Sequence, residues 1–256
     1  MLVDSHCHLD VDEFAADRAE VLARARAAGV THQVVPAIRA RDWTTLRAVC
    51  ASAPGLHAAY GLHPVFLDDH TPGDLQTLRE WLAREAPVAV GECGLDYYVD
   101  GLDRDRQTHY FDAQLALARD FDLPVIVHAR RAVDAVISAI RRYPGVRGVV
   151  HSFPGSEQQA AQLHALGFLV GIGGPVTYAR AQRLRRTVTA LPDDQLLLET
   201  DAPDQPDDAI RGQRNEPARL RRILEVVAEL RGVSTGSLAA TTSRNAARLF
   251  GWADAT

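Results

Sequence analysis

Leu2-Val3-Asp4-Ser5-His6-Cys7-His8 reads as a short strand that opens directly into a loop. Residues i and i+2 of an extended chain share one face. The imidazoles of His6 and His8 can therefore reach one cation at about 2.0–2.1 Å while Cys7 points the other way. His-x-His is common by chance, so its weight comes from its position. Further apolar runs end in residues of the same chemical kind: Glu92, His128, His151 and Asp201.

Eight runs read as strands: residues 2–6, His32 to Ile38, Leu56 to Gly61, Val88 to Glu92, Pro124 to His128, Arg147 to His151, Gly167 to Ile172, and Leu196 to Thr200. They are short, rich in Val, Ile and Leu, and lack strict alternation, as strands buried on both faces do. Helical stripes fill the gaps. Phe14, Val21, Leu22, Ala25 and Ala28 form one that Gly29 can end. Trp43, Leu46 and Cys50 mark a second, and Leu75, Leu78 and Leu82 a third. Phe111, Leu115 and Ala118 follow, then Val133, Val136, Ile137 and Ile140. Ser156 and Gln159 have capping-box spacing, with Gly167 ending that helix. Ala202 to Asn215, rich in Asp, Pro, Gly and Gln, reads as a long loop. Helices from about Glu216 to Arg231, and to near Phe250, come after it.

About eight strand–helix alternations admit either a closed barrel or an open doubly wound sheet. No G-x-G-x-x-G turn follows the first strand to favour the latter. The ligand-type residues decide: in a barrel every strand's C-terminal end faces one mouth, whereas an open sheet need not bring His6 near Asp201. The expectation is an α/β protein, a (β/α)8 TIM barrel. With no internal repeat or linker evident, it forms one domain over residues 1–256.

Composition narrows the class. A hydrophobic content of 46% supplies a sizeable core, and no apolar run approaches the roughly 20 residues of a membrane span. Three cysteines, Cys7, Cys50 and Cys93, are too few and too scattered for a disulfide framework. A cytoplasmic protein is expected, with no obligate protein partner and a monomer favoured over an oligomer. The net charge of −5 argues against a broad basic surface that coats nucleic acid. Every basic residue is arginine, which excludes a Schiff-base lysine and a carboxylated-lysine metal bridge.

Four imidazoles and two carboxylates, from His6, His8, Glu92, His128, His151 and Asp201, suit Zn, Mn, Co or Fe better than a purely oxygen-liganded ion. Six ligands with a carboxylate midway round the barrel suggest two divalent ions, of Zn, Mn, Co or Mg type, bridged by Glu92. Such ions lower the pKa of water from about 15.7 to about 7, which at roughly 1.4 kcal/mol per unit is on the order of 10 kcal/mol. Asp201 is then placed to orient the nucleophile and shuttle its proton, so Glu92 and Asp201 are the catalytic candidates.

These residues lie in segments that occur in order along the chain: Asp4-Ser-His-Cys-His-Leu-Asp10, Gly61-Leu-His-Pro64, Gly91-Glu-Cys-Gly-Leu-Asp-Tyr-Tyr98, the helix carrying Gln107, Phe111 and Gln114, His128-Ala-Arg130, His151-Ser-Phe153, Glu199-Thr-Asp-Ala-Pro203 and Arg214-Asn-Glu-Pro217. Together they resemble the TatD-type metal-dependent deoxyribonucleases of the amidohydrolase superfamily. The resemblance implies hydrolysis of phosphodiester bonds in DNA, often from the 3′ end, with DNA or a nucleotide as substrate. It assigns His6, His8, Glu92 and Asp201 to one metal, and Glu92, His128 and His151 to the other. His63 is implied to be a substrate-side group. The sixth-strand motif often reads His-Cys-Phe in that family, whereas Ser152 follows His151 here. The acidic run Asp204 to Asp208 also departs from the pattern and sets charge against a polyanion.

Arg130, two residues past His128 on the same strand face, is the candidate for steering phosphate. Glu199 reads either as a partner of some arginine or as support behind the ligands. His32, His57, His70, His109 and His164 lie away from the strand ends and read as structural. The alternative chemistry is hydrolysis of a small C–N or ester substrate by an amidohydrolase, lactonase or deacylase, because fold does not decide substrate. A non-catalytic barrel that stores metal or docks partners is the remaining class.

Overall fold

The computed structural model describes residues 1–252. Eight strands run in the order β1 (Leu2–Asp4), β2 (Val30–Pro36), β3 (Leu56–Tyr60), β4 (Ala89–Asp96), β5 (Val125–Arg130), β6 (Gly148–Val150), β7 (Phe168–Ile172) and β8 (Leu196–Leu198). Each pairs in parallel with the next. The ring closes between β8 and β1 without a regular ladder. Ser5 N donates to Leu198 O at 3.0 Å and Asp201 N to His6 O at 2.9 Å. Beside them Asp4 Oδ1 accepts from Thr200 N at 2.9 Å. The fold is a (β/α)8 barrel.

The helices wrap its outside: α1 (Arg18–Ala27), α2 (Trp43–Ala51), α3 (Pro72–Glu85), α4 (Arg104–Asp120), α5 (Val133–Ile140), α6 (Glu157–Ala165), α7 (Gln182–Ala190), α8 (Leu220–Arg231) and α9 (Thr235–Phe250). The capping box forms at α6, where Ser156 and Gln159 bond each other's backbone amides. The apolar stripes at α2 to α5 bury apart from Cys50 and Leu75, which are half-buried, while Phe14 belongs to a separate 3-10 turn ahead of α1 and is buried there. α7 escaped the sequence reading because its apolar stripe is thin: Thr187 and Val188 are its buried residues.

Two layers make the core. The larger lies between strands and helices. The smaller lies inside the barrel and takes one residue from every strand: Val3, Val34, Ala59, Ala89, Ile126, Val149, Leu169 and Leu197. Ala246, Leu249 and Phe250 of α9 close it from below. Side chains therefore fill the lower barrel and leave the upper rim, at the strands' C-terminal ends, for polar residues. Among the described residues no helix is long and apolar enough to cross a membrane.

Strand ends differ from the sequence reading in both directions. β4 and β5 run on to Asp96 and Arg130, so Glu92 and His128 sit within strands. β1, β6 and β8 stop early, leaving His6, His8, His151 and Asp201 in the segments just beyond.

Candidate metal centre

All six ligand-type residues meet at that rim. Glu92, nearly fully buried from β4, stands at the centre with its two oxygens facing different partners. Oε1 lies 2.8 Å from His151 Nε2, 3.0 Å from His128 Nδ1 and 3.0 Å from His63 Nε2. Oε2 lies 3.2 Å from His6 Nε2 and 3.6 Å from His8 Nε2. Asp201 Oδ1 approaches the same two imidazoles, at 3.3 and 3.6 Å. Among the described residues, the groups able to surround an ion are His6–His8–Asp201, His6–Glu92–His151 and His63–Glu92–His128.

Ring tautomers separate these histidines. A neutral imidazole carries one N–H and one lone pair, so the partner of the outer nitrogen reports what the inner one offers. His8 Nδ1 faces Pro36 O at 3.2 Å and must donate, which frees Nε2. His128 Nε2 faces Asp96 Oδ2 at 2.8 Å, which frees Nδ1 toward the centre. His63 is the opposite: its Nδ1 accepts from Val65 N at 3.2 Å. Its inward Nε2 therefore carries the proton and donates to Glu92. The geometry brings His63 into the cluster, but as a hydrogen-bond donor.

The electrostatics agree with a cation site. His6 Nε2 and His8 Nε2 are 3.1 Å apart and aim at common ground, and no arginine among the described residues pairs with Glu92. Burial alone would raise the Glu92 carboxyl, but His151, His63 and His6 around it hold it well below the usual carboxylate range. Burial, with His151 alongside, pushes His6 well below the usual imidazole value and keeps its lone pair free. Burial pushes Asp201 up to about 6. Burial would lower His151, but Glu92 and Glu199 push it well above the usual imidazole value, so the buried carboxylate draws positive charge into the cluster; the imidazoles around it fit divalent ions of the Zn, Mn and Co class.

Two carboxylates behind the centre were not given a settled role by the sequence. Asp96 is buried, orients His128, and accepts from Tyr98 N at 2.8 Å and Val99 N at 2.9 Å. It lies four residues after Glu92 in the same strand, hence on one face, and that spacing was the available signal. Among the described residues Glu199 has no arginine partner; it is buried, bonds Ser152 N and lies 3.7 Å from His151 Nδ1. It supports the centre from beneath.

The mouth above is a cavity of about 690 Å³ lined by Phe66, Val99, Arg130, Ser152, Asp204 and Gln205 among others. Arg130 extends over the ring of Tyr98 at 3.7 Å, with Arg131 at 4.7 Å. The acidic run is less hostile to an anion than its sequence implies. Asp207 is buried and bound by Arg219 at 2.6 and 2.8 Å, and Asp208 pairs with Arg222 at 3.3 Å. Of its three acids, Asp204 is the one that lines the cavity. Cys7 and Cys93 are buried and face Val34 O and Ile126 O, away from the centre.

The model of the TatD related DNase family matches residues 3–251. The chain is 41% identical over 251 residues, 97% of both proteins, to YjjV of Escherichia coli (strain K12), an uncharacterized metal-dependent hydrolase. It is 36% identical over 257 residues, 97% of this chain and 99% of the relative, to the 3'-5' ssDNA/RNA exonuclease TatD of Erwinia tasmaniensis. The crystal structure of the E. coli YjjV protein, a TatD homolog, superposes with a TM-score of 0.94 at 40% identity, covering 98% of each chain.

Proposed function

The chain belongs to the TatD related DNase family, and we propose that it is a metal-dependent hydrolase cleaving phosphodiester bonds in DNA, from a 3′ end, at a pair of divalent ions. The observation that carries the reading is Glu92, whose Oε1 faces one set of imidazoles and whose Oε2 faces another. That arrangement suits a bridging carboxylate, with His6, His8 and Asp201 on one side and His128 and His151 on the other. Divalent ions held there would supply hydroxide near neutral pH, since they lower the pKa of water to about 7.

The chain's own groups do the rest. Asp201 orients the attacking oxygen and takes its proton. His63 holds Glu92 with its inward N–H, at the edge of the mouth where the leaving strand passes. Arg130 meets a phosphate oxygen, the geometry for which guanidinium is suited. The cavity volume of about 690 Å³ lies in the roughly 300–1,000 Å³ range of sites that enclose a small ligand, which favours the end of a strand over the side of a duplex. The Erwinia relative's name supports the same polarity.

The test restores Zn, Mn, Co or Mg singly to metal-stripped protein and compares single-stranded DNA, RNA, duplex DNA, a small amide and a lactone. Release of mononucleotides from the 3′ end of single-stranded DNA, with two equivalents of metal bound, is expected. Glu92→Ala and Asp201→Asn should lower the rate by about 10²–10⁴-fold or more in protein that remains folded. Amide or lactone turnover without phosphodiester cleavage would move the enzyme to the other hydrolase class. Bound metal with no turnover would leave a non-catalytic barrel.

A further inference from the structure

We infer that Ser152 and Gln205 form a hydrogen-bonded relay that positions the Asp201 carboxylate. The proposal rests on the reading above only in giving Asp201 a place at the metals. Asp201 uses Oδ1 toward His6 and His8. Its other oxygen, Oδ2, accepts from the Gln205 side-chain amide. Gln205 Oε1 in turn accepts from the Ser152 hydroxyl at 2.8 Å. Donor and acceptor order is forced along this chain. An ionised carboxylate can only accept, so the Gln205 NH2 must face Asp201, and its oxygen is left needing a donor. Ser152 provides one.

The backbone holds the three members in place. Ser152, Asp201 and Gln205 all have left-handed φ, at 45°, 56° and 49°, a region uncommon for residues other than glycine and concentrated at functional sites. The loop bearing Gln205 is pinned from several directions. Buried Asn215 donates to Thr200 O and Asp204 O, both at 2.8 Å. Tyr178 OH donates to Pro206 O at 3.0 Å. Gly174 packs so closely that a Cβ there would stand 2.1 Å from Gln205 O. Ser152 itself is anchored through its amide to Glu199, whose Oε1 lies 3.7 Å from His151 Nδ1. The relay thus runs from the residue beside His151 to the Asp201 carboxylate.

Position 152 is where the chain departs from the His-Cys-Phe pattern. A thiol is a weak donor, so cysteine there would leave Gln205 Oε1 poorly satisfied and its amide free to turn. Ser152 and Gln205 are in this sense a matched pair, each giving the other its purpose. Both are positioning residues; neither is required to touch the substrate.

The test titrates metal-stripped protein with Mn²⁺ and measures kcat and KM on bis(p-nitrophenyl) phosphate. The variants are Ser152→Ala, Ser152→Cys, Gln205→Met and Ser152→Cys/Gln205→Met. Each single change should weaken the more affected Mn²⁺ site by about tenfold, the lower end of what loss of a supporting bond costs. It should also lower kcat about tenfold while KM stays within about twofold. The double variant should be no worse than Gln205→Met alone, because the relay is already broken. Wild-type Mn²⁺ affinity in both Ser152→Ala and Gln205→Met overturns the proposal, and so does a double variant that loses the product of the two single effects. Should the wild type bind metal yet cleave no phosphodiester, the proposed function fails, while the Mn²⁺ affinities still decide the relay.

Discussion

At the scale of single residues, the chemistry of the centre is settled by what lies on the far side of each imidazole. His128 can offer Nδ1 inward only while Asp96 accepts the proton of Nε2 at 2.8 Å. Burial would raise the Asp96 carboxyl, but the His128 bond and the amides of Val99 and Tyr98 hold it at about 2. Replacing Asp96 by Asn turns an acceptor-only partner into one that can also donate, so the His128 tautomer is no longer enforced. Asp96→Asn should weaken metal binding by about 10–100-fold, read by titrating the metal-stripped protein. Undiminished affinity would mean that His128 finds its orientation elsewhere. Asp96 shows what a sequence does and does not reveal. Glu92, His128, His151 and Asp201 could be found because a histidine or acid at the end of a parallel strand has few other reasons to be there. Asp96 sits in a recognisable segment, yet its purpose depends on a ring 32 residues away in sequence. Ser152 and Gln205 were harder still, since neither has a charge or a ligand's chemistry and only the folded loops bring them together.

Elements explain why the site's supports are so tightly specified. β7 contributes no ligand, but Gly171 gives Glu199 its room: a Cβ at Gly171 would fall 1.9 Å from Glu199 Oε2. Gly171→Ala should displace Glu199, disturbing the Ser152 amide and His151 with it. Forcing a methyl group into packed space costs about 1–3 kcal/mol, and the expected outcome is both a lower unfolding midpoint and a lower kcat. A lower midpoint with kcat intact would show that Glu199 only fills space. The strands themselves were legible because burial on both faces gives continuous Val, Ile and Leu runs. Their ends were not, because the backbone pairing that carries β4 to Asp96 and stops β8 at Leu198 depends on neighbours rather than on composition. α7 was invisible for the complementary reason: a helix that buries little has little apolar pattern to display.

For the molecule as a whole, the rim and the floor of the barrel are separate regions with separate tasks. The floor is sealed by α9, where Leu249 and Phe250 meet one residue from each strand. Phe250 is 6% exposed, so Phe250→Ala should cost about 3–5 kcal/mol and lower the midpoint by roughly 2–4 °C per kcal/mol for a chain of this size. The rate per folded molecule at 25 °C should not change, since nothing at the floor reaches the candidate metal centre; a fall in kcat would show that the barrel transmits strain from end to end. The same floor carries a pH dependence. His57 Nε2 and His32 Nδ1 lie 2.9 Å apart, and both rings stack on Trp252, at 4.2 and 5.3 Å. Two nitrogens so close share a single proton. Burial first, and the neighbouring His32 second, lower His57 to about 4, and burial lowers His32 as well. The unfolded chain takes up these protons near the ordinary pKa of about 6.5, before the folded chain does. The pair's contribution is therefore complete above about pH 6.5 and is lost as pH falls from there toward 4. His57→Gln removes the depressed group. Between pH 7 and pH 5 the unfolding midpoint of that variant should fall by less than the wild type's, and equal slopes would place the acid sensitivity of the barrel elsewhere.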